Sequence, residues 1–301
     1  MTSISAIIPS AGGPDLWTAL SSIEAQSVAV DETIVVLNNM SWSRAEQLSA
    51  ELSSAGFTPV IAESGGACEA RDLGVSHASS AYVAFLDADD VWRADKIAAT
   101  LPLLKRGSDV VSSRVQYNQT DGNPVAVAPV EVFEPGSVLG TWLFVNRRLS
   151  AKRNVFHTST LVVRTQLAKQ LSWVFGAPHE DWSFLLQAEN LVGTERFAQL
   201  SKVLVDVSMG SGQSLSAGIG WRESWDWLEK HRDFLPRAAY NDFLAGQVMR
   251  YALTSPGGAD SLKVFSEVAR SAPDVSPRAL ALGATGILGR KRFEQLAVTT
   301  S

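Results

Sequence analysis

An α/β fold on a mostly parallel sheet is predicted by three features of the N-terminal third of the chain. Four short apolar runs, at residues 4–8, 34–37, 58–62 and 82–86, are separated by stretches with helical spacing, the pattern of βαβ units. The runs are apolar throughout rather than alternating, as in strands covered on both faces. The fourth run then stops abruptly on Asp87, Asp89 and Asp90. In an open α/β sheet, the crevice beyond the C-terminal strand ends is where ligands bind.

The elements follow in order. The first strand, 4–8, ends in the loop Pro9-Ser10-Ala11-Gly12-Gly13, and Asp15 is placed to cap a helix carrying Leu16, Ala19, Leu20 and Ile23 on one face. The strand 34–37 closes on Asn38-Asn39, Ser43 is placed to cap a helix over 44–54, and 58–62 forms a third strand. After Gly65-Gly66, residues 67–78 read as a helix leading to the strand 82–86. Residues 109–117 and 124–128 flank Thr120-Asp121-Gly122-Asn123, a hairpin turn sequence. A strand at 160–164 precedes a short helix, Gly176-Ala177-Pro178 breaks the chain, and a helix near Glu180 carries Trp182, Leu185, Leu186 and Glu189. The Gly- and Ser-rich stretch 208–220 reads as a loop or linker, followed by helices at 221–235 and 241–253 and a weaker one near the end. The expected division is residues 1–207 and a small α-helical C-terminal region, 208–301.

Composition narrows the function classes. The 301 residues are 46% hydrophobic and 19% charged, as in an ordinary globular protein with ample core. A net charge of −5 without a basic stripe argues against nucleic acid as a partner. A single cysteine, Cys68, excludes an intramolecular disulfide and a Cys-rich zinc site. No signal-peptide apolar region and no run of transmembrane length is present, so a cytoplasmic enzyme is expected. The tail Leu288-Gly289-Arg290-Lys291-Arg292-Phe293 is a faint signal for weak peripheral association at the inner face of a membrane.

Four clusters carry chemistry. Asp87-Ala88-Asp89-Asp90 places carboxylates within reach of one hard cation, Mg²⁺ or Mn²⁺, which in turn suits a phosphate-bearing ligand; alternatively Asp90 caps the next helix. The guanidinium of Arg71 can hold phosphate or orient the carboxylates. The small residues Ser10, Ala11, Gly12 and Gly13 let backbone N–H groups approach a nucleotide, although the loop is neither a P-loop nor a dinucleotide fingerprint. In His179-Glu180-Asp181-Trp182, adjacent carboxylates open a helix; they serve the helix dipole, or one acts as a base beside an aromatic on which a sugar can stack. Trp221, Trp225 and Trp227 near helical spacing suit core packing or, alternatively, acceptor binding, and Arg147-Arg148 and Lys152-Arg153 suit solvated surface, with contact to phosphate as the alternative.

In this order the segments resemble the family 2 inverting glycosyltransferases of the GT-A fold, a Rossmann-like nucleotide-diphospho-sugar transferase domain. Ile4-Ser5-Ala6-Ile7-Ile8-Pro9-Ser10 resembles the opening strand, Leu20 to Gln26 the Ser-x-x-x-Gln helix end, and Asp31-Glu32-Thr33-Ile34-Val35-Val36 the second strand. Gly66 through Trp92 is similar to the stretch pairing an Ala-Arg-Asn-x-Gly helix with a Phe-Leu-Asp-x-Asp-Asp-x-Trp strand end, and Glu180-Asp181-Trp182 to the segment carrying the base. The resemblance implies metal-dependent transfer of a sugar from a nucleotide-diphosphate donor, a UDP-sugar first among candidates, to a hydroxyl of a glycan, polysaccharide or glycoconjugate. It further implies that Pro9, Ser10, Ala11, Asn38, Arg71, Asp87 and Ala88 bind donor and that Asp89, with Asp87, holds a divalent metal. Asp181, beside Glu180, removes the acceptor proton. Three departures stand out: Asn38-Asn39 where Asp is frequent, Asp72 in place of Asn, and no His or Arg in residues 209–214. The missing basic residue leaves a second hypothesis, a non-catalytic nucleotide-sugar or glycan-binding module. Sugar-phosphate nucleotidyltransferases and haloacid dehalogenase-type phosphatases are disfavoured by their own motifs.

Overall fold

The computed structural model describes residues 2–63, 65–148, 152–174, 178–209, 220–254 and 259–288. Four strands, β1 (Ile4–Ser10), β2 (Glu32–Leu37), β3 (Thr58–Ile61) and β4 (Tyr82–Phe85), lie in the order β3-β2-β1-β4 and are all parallel. They alternate with α1 (Leu16–Glu24), α2 (Trp42–Ser54) and α3 (Ala67–His77), as the periodicity predicts. The cap of α2 differs, since Ser41 rather than Ser43 occupies the N-cap position. Asp15 does occupy that position on α1, without a side-chain capping bond.

The other half of the sheet makes it mixed. A two-residue strand, β5 (Val91–Trp92), precedes α4 (Lys96–Lys105) and the hairpin β6 (Val110–Gln119) and β7 (Pro124–Ala128). The helices α5 (Leu139–Phe144) and α6 (Thr165–Ala168) bracket β8 (Val162–Arg164), which runs antiparallel between β4 and β6. α7 (Glu180–Val192) then leads into β9 (Phe197–Met209), which pairs parallel with β6 and antiparallel with β5. β9 was not foreseen, because Ser201 and Lys202 interrupt its apolar run where the strand is exposed. Among the described residues, nine strands form one sheet.

Each face of the sheet has its own core. Ile4, Ile8, Val35, Leu37 and Leu86 pack with α1, α2 and α4, whereas Ile7, Val36, Val83 and Phe85 pack with α3, α5 and α7. The second face also receives α8 (Trp221–Lys230), α9 (Arg237–Phe243), α10 (Met249–Thr254), α11 (Ala259–Ser271) and α12 (Pro277–Ala284). Between α9 and α10 the helix widens into one π turn, Leu244–Val248. Trp221 and Trp227 are buried in this core, and Trp225 packs partly buried against it. The helices after Gly220 therefore share one apolar cluster with α5 and α7.

The Ser22 and Gln26 side chains have a clear role. Gln26 donates to the Arg93 carbonyl at 2.9 Å and accepts from the Ile97 N–H at 3.1 Å. The Ser22 hydroxyl accepts from the Trp92 N–H at 3.1 Å. The end of α1 thus fixes the chain just after the acidic cluster.

Candidate active site

Because β1, β2 and β4 are parallel, Ser10, Leu37 and Phe85 finish at one edge. The Asn38 N–H donates to the Ser10 carbonyl at 2.9 Å, joining two of the predicted donor-binding positions. Pro9, Ser10 and Asn38 are buried, Ala11 is exposed and Ala88 half-buried. The Ser10 hydroxyl accepts from the Gly12 N–H at 3.0 Å, and Gly12 has φ +75°, a conformation that favours glycine.

α3 carries Arg71 into this edge. A Cβ on Gly74 would stand 2.5 Å from Ile7 Cγ2, so glycine is what lets the helix lie so close to the sheet. Three residues earlier on the same face, buried Arg71 donates through Nη2 to Asp87 Oδ1 at 2.6 Å. Its guanidinium lies over the Trp173 ring, 4.9 Å from the centroid. Its Nε and Nη1 are buried without a hydrogen-bond partner among the described residues. Burial opposes both charges, yet their mutual attraction holds the Arg71 pKa above, and the Asp87 pKa below, the ordinary values.

Asp72, the departure noted above, has a structural explanation. Its carboxylate accepts from the Ser172 hydroxyl and the Trp173 N–H at 3.0 Å each, and from the Val174 N–H at 3.4 Å. It fixes the segment that supports Arg71 from below. Trp173 in turn stacks on Phe184 of α7, with centroids 4.2 Å apart.

The three aspartates of the strand end differ in environment. The Ser159 hydroxyl accepts from the Asp87 N–H at 3.1 Å and donates to Asp90 Oδ2 at 2.5 Å. Burial, and then the charge of Asp87, raise the Asp90 pKa well above the carboxylate range. Asp90 does not cap the next helix, since α4 begins at Lys96 with Asp95 in the N-cap position. Asp89 is exposed and lines a cleft of about 240 Å³ together with Asp15, Thr18, Asn118 and Asp206. No group of three or more His, Cys, Asp or Glu suited to a metal occurs among the described residues. Asp89, and the Asp87 oxygen that Arg71 does not engage, are the hard oxygens that would hold a divalent ion at this strand end.

Glu180 and Asp181 open α7, and their electrostatics tie them to the strand end. Burial, then Asp181, push the Glu180 pKa up to about 7, with Arg71 and Asp87 close enough to act on it as well. Burial raises Asp181, opposed by a hydrogen bond from the Trp182 N–H at 2.8 Å and by Arg153, Arg147 and Arg71. The fold thus brings the predicted base to Arg71 and Asp87 across some hundred residues of chain. His179 stacks on Trp182 at 4.7 Å, bonds the Ser224 hydroxyl at 3.0 Å and is held neutral, its pKa pushed down by burial to about 3.

Two residues that sequence reasoning missed stand between the acid groups. Tyr117 is buried on β6 and interacts with Arg153, Asp90 and Asp181; burial first raises its pKa. His157 Nδ1 accepts from the Ser159 N–H at 3.3 Å and lies 3.7 Å from Asp90 Oδ2, and burial lowers its pKa to about 4. The accepting Nδ1 leaves the ring proton on Nε2. The one available signal was a histidine close after the basic pair Lys152-Arg153. Residues 210–214 of the loop lacking His or Arg, and residues 289–293 of the basic tail, lie outside the described residues.

An α/β sheet with acid groups at its strand ends, a buried arginine and a remote acid pair frame this candidate site, and comparison with known proteins gives its family. The glycosyl transferase family 2 model matches residues 5–159, just over half of the chain. The chain belongs to that family and is a glycosyltransferase. It is 25% identical over 257 residues to the amylovoran biosynthesis glycosyltransferase AmsB of Erwinia amylovora, covering 79% of this chain and 82% of that protein. Its fold is similar to S. aureus TarS (residues 1–349) in complex with UDP-GlcNAc, with TM-score 0.62, 16% identity and coverage of 99% of this chain and 91% of that one. It is also similar to glucosyl-3-phosphoglycerate synthase from Mycobacterium tuberculosis in complex with Mn²⁺, UDP and phosphoglyceric acid. There the TM-score is 0.51 at 17% identity, over 78% of this chain and 80% of the other. Among the described residues no helix is long and apolar enough to cross a membrane.

Proposed function

We propose that this glycosyltransferase moves a sugar from a nucleoside-diphosphate sugar to a hydroxyl acceptor in one inverting displacement, with Asp181 as the base. The observation that carries the reading is the convergence of Glu180 and Asp181 with Arg71 and Asp87. Burial raises the proton affinity of Asp181 as a base near neutral pH requires. Pro9, Ser10, Ala11 and Asn38 line the nucleoside, Asp87 contacts its ribose or base, and Ala88 adjoins the donor. Arg71 balances charge on the leaving diphosphate with N–H groups that are otherwise unpartnered. Asp89 and Asp87 hold a divalent ion, Mn²⁺ or Mg²⁺, which neutralises that diphosphate when bound. A UDP-sugar is favoured because TarS and glucosyl-3-phosphoglycerate synthase were crystallised with UDP-GlcNAc and with UDP and Mn²⁺.

The division at residue 207 is proposed as a functional one, with the donor site before it and acceptor selectivity in residues 130–160 and the helices after it. The setting is proposed as cytoplasmic, with weak attachment through the tail. The test is a thermal-shift and donor-hydrolysis screen of UDP-, GDP- and dTDP-sugars with and without Mn²⁺. Stabilisation and turnover by one nucleotide class, both dependent on metal, are expected. Binding of that nucleotide without any hydrolysis or transfer would instead favour the non-catalytic module.

A further inference from the structure

α8 grips the turn of α7 that carries Glu180 and Asp181. His179, in the N-cap position of α7, places Nε2 3.0 Å from the Ser224 hydroxyl, and both side chains are buried. One turn further on, the Ser183 hydroxyl meets His231 Nε2 at 2.8 Å and accepts from the Trp227 indole N–H at 2.7 Å. His231 Nδ1 lies 2.8 Å from the Trp227 carbonyl, which can only accept. The ring proton is therefore on Nδ1, and Nε2 accepts from Ser183. The indole N–H, the hydroxyl and both ring nitrogens of His231 are thus satisfied inside the helix pair, the condition on which buried polar groups are tolerated.

The latch straddles the acid pair. The Ser183 N–H donates to the His179 carbonyl at 3.1 Å, so the two residues bound one helical turn and face α8 together. Asp181, two positions from each, falls on the side of that turn away from α8, half-buried where Ser183 is fully covered. His179 also stacks on Trp182, whose N–H donates to Asp181 Oδ1 at 2.8 Å. Contacts therefore run without a break from α8, through His179 and Trp182, to the carboxylate. Apolar packing alone would let α7 slide or turn against α8, whereas directional hydrogen bonds at residues 179 and 183 fix its register.

We propose that Ser224, Trp227 and His231 are positioning residues that hold Asp181 at the angle its proton transfer requires. The inference rests on Asp181 as the base and adds a role for the region after residue 220. α8 completes the active site from behind, and loss of the latch reaches the reaction only through Asp181.

The experiment follows hydrolysis of the UDP-sugar that the donor screen selects, using the full chain, with Ser224→Ala and Ser183→Ala each made in wild type and in Asp181→Asn. Both changes remove one buried hydroxyl with little change in volume. In wild type each should lower kcat by about ten- to hundredfold, the cost of misplacing a reacting group by ~1 Å, with UDP affinity unchanged. In the Asp181→Asn background the same change should alter the residual rate by no more than about twofold, because groups acting as a unit are not additive. Val264→Ala, in α11 of the same apolar core, should lower Tm comparably and leave kcat near wild type. Equal fold losses in both backgrounds, or a kcat that tracks Tm across all three variants, would overturn the positioning role. Full activity of Asp181→Asn itself would instead remove the base on which the proposal stands.

Discussion

The two flanks of the cleft treat charge in opposite ways. On the strand-end flank, Arg71 and Asp87 hold each other, and Ser159 bridges Asp87 to Asp90. That flank is organised before any ligand arrives. On the helical flank, Arg147 and Arg250 both donate to Gln247 Oε1, and neither Arg147 nor Arg153 forms an ion pair among the described residues. Preorganised dipoles and charges are what a transition state needs, whereas the helical flank contributes neutral hydrogen bonds that hold the base. The difference separates charge stabilisation from positioning, and variants on each flank should separate in the same way.

The largest effect is expected at the joint of the two flanks. Asp181→Asn should lower kcat by about 10²–10⁴-fold, the usual range for losing a general base, with UDP affinity unchanged. Near-normal transfer by this variant would remove Asp181 from the mechanism. The acid pair also sets a pH dependence. Burial raises the Asp181 pKa, and a carboxyl acts as a base only once ionised, so the rate should climb with pH as Asp181 loses its proton. Glu180→Gln removes a neighbouring negative charge and should shift the climb to lower pH; an unmoved profile would show that the pair does not titrate together.

Next in size is Asp89, exposed in its cleft. Asp89→Ala should weaken Mn²⁺-dependent UDP binding by about 10–100-fold, as changes to a metal's immediate surroundings typically do. Unchanged metal dependence in this variant would remove Asp89 from the metal site.

The same contrast governed what the sequence disclosed. The strand-end flank was legible because its residues are local: a buried strand, its terminal Asp residues and Arg71 on the adjoining helix fall within one βαβ unit. Even there, the helix-capping role allowed for Asp90 gave way to Ser159, a partner far along the chain. The helical flank is assembled from long-range contacts, and nothing in Arg147-Arg148 distinguishes the cation over Trp182 from the one paired with Glu131. β9 escaped notice because exposed polar residues break its apolar run, although it and β5 complete the sheet edge beside the acid cluster. Asp72 was visible only as a departure; its three hydrogen bonds to residues 172–174 explain it.

Asp72 also tests whether preorganisation matters in its own right. Asp72→Ala leaves two backbone N–H groups and a hydroxyl without their acceptor and should cost about 1–3 kcal/mol of stability. Trp173 should then loosen under Arg71, lowering kcat by about tenfold with little change in KM for the acceptor. Asp72→Asn, which keeps one acceptor oxygen, should lie between the two. A fall in Tm with kcat unchanged would reduce Asp72 to a structural role.

The smallest effect concerns an exception on the organised flank. Lys96 is buried over the Trp92 ring at 4.3 Å, its Nζ has no hydrogen-bond partner among the described residues, and burial lowers its pKa to about 7. The unfolded chain binds this proton up to the ordinary lysine pKa, so between about pH 7 and 10 it carries more protons than the folded state. Stability should therefore rise with pH across that window, the penalty being fully present below it. Lys96→Met should be stabler than wild type at pH 7, and that advantage should shrink by about 1–3 kcal/mol by pH 9.5, measured as unfolding free energy. A constant difference would mean that Lys96 keeps its charge through the ring contact alone. The comparison then sharpens, because a buried lysine with no anion beside it sheds its proton, whereas buried Arg71, matched by Asp87, keeps its own.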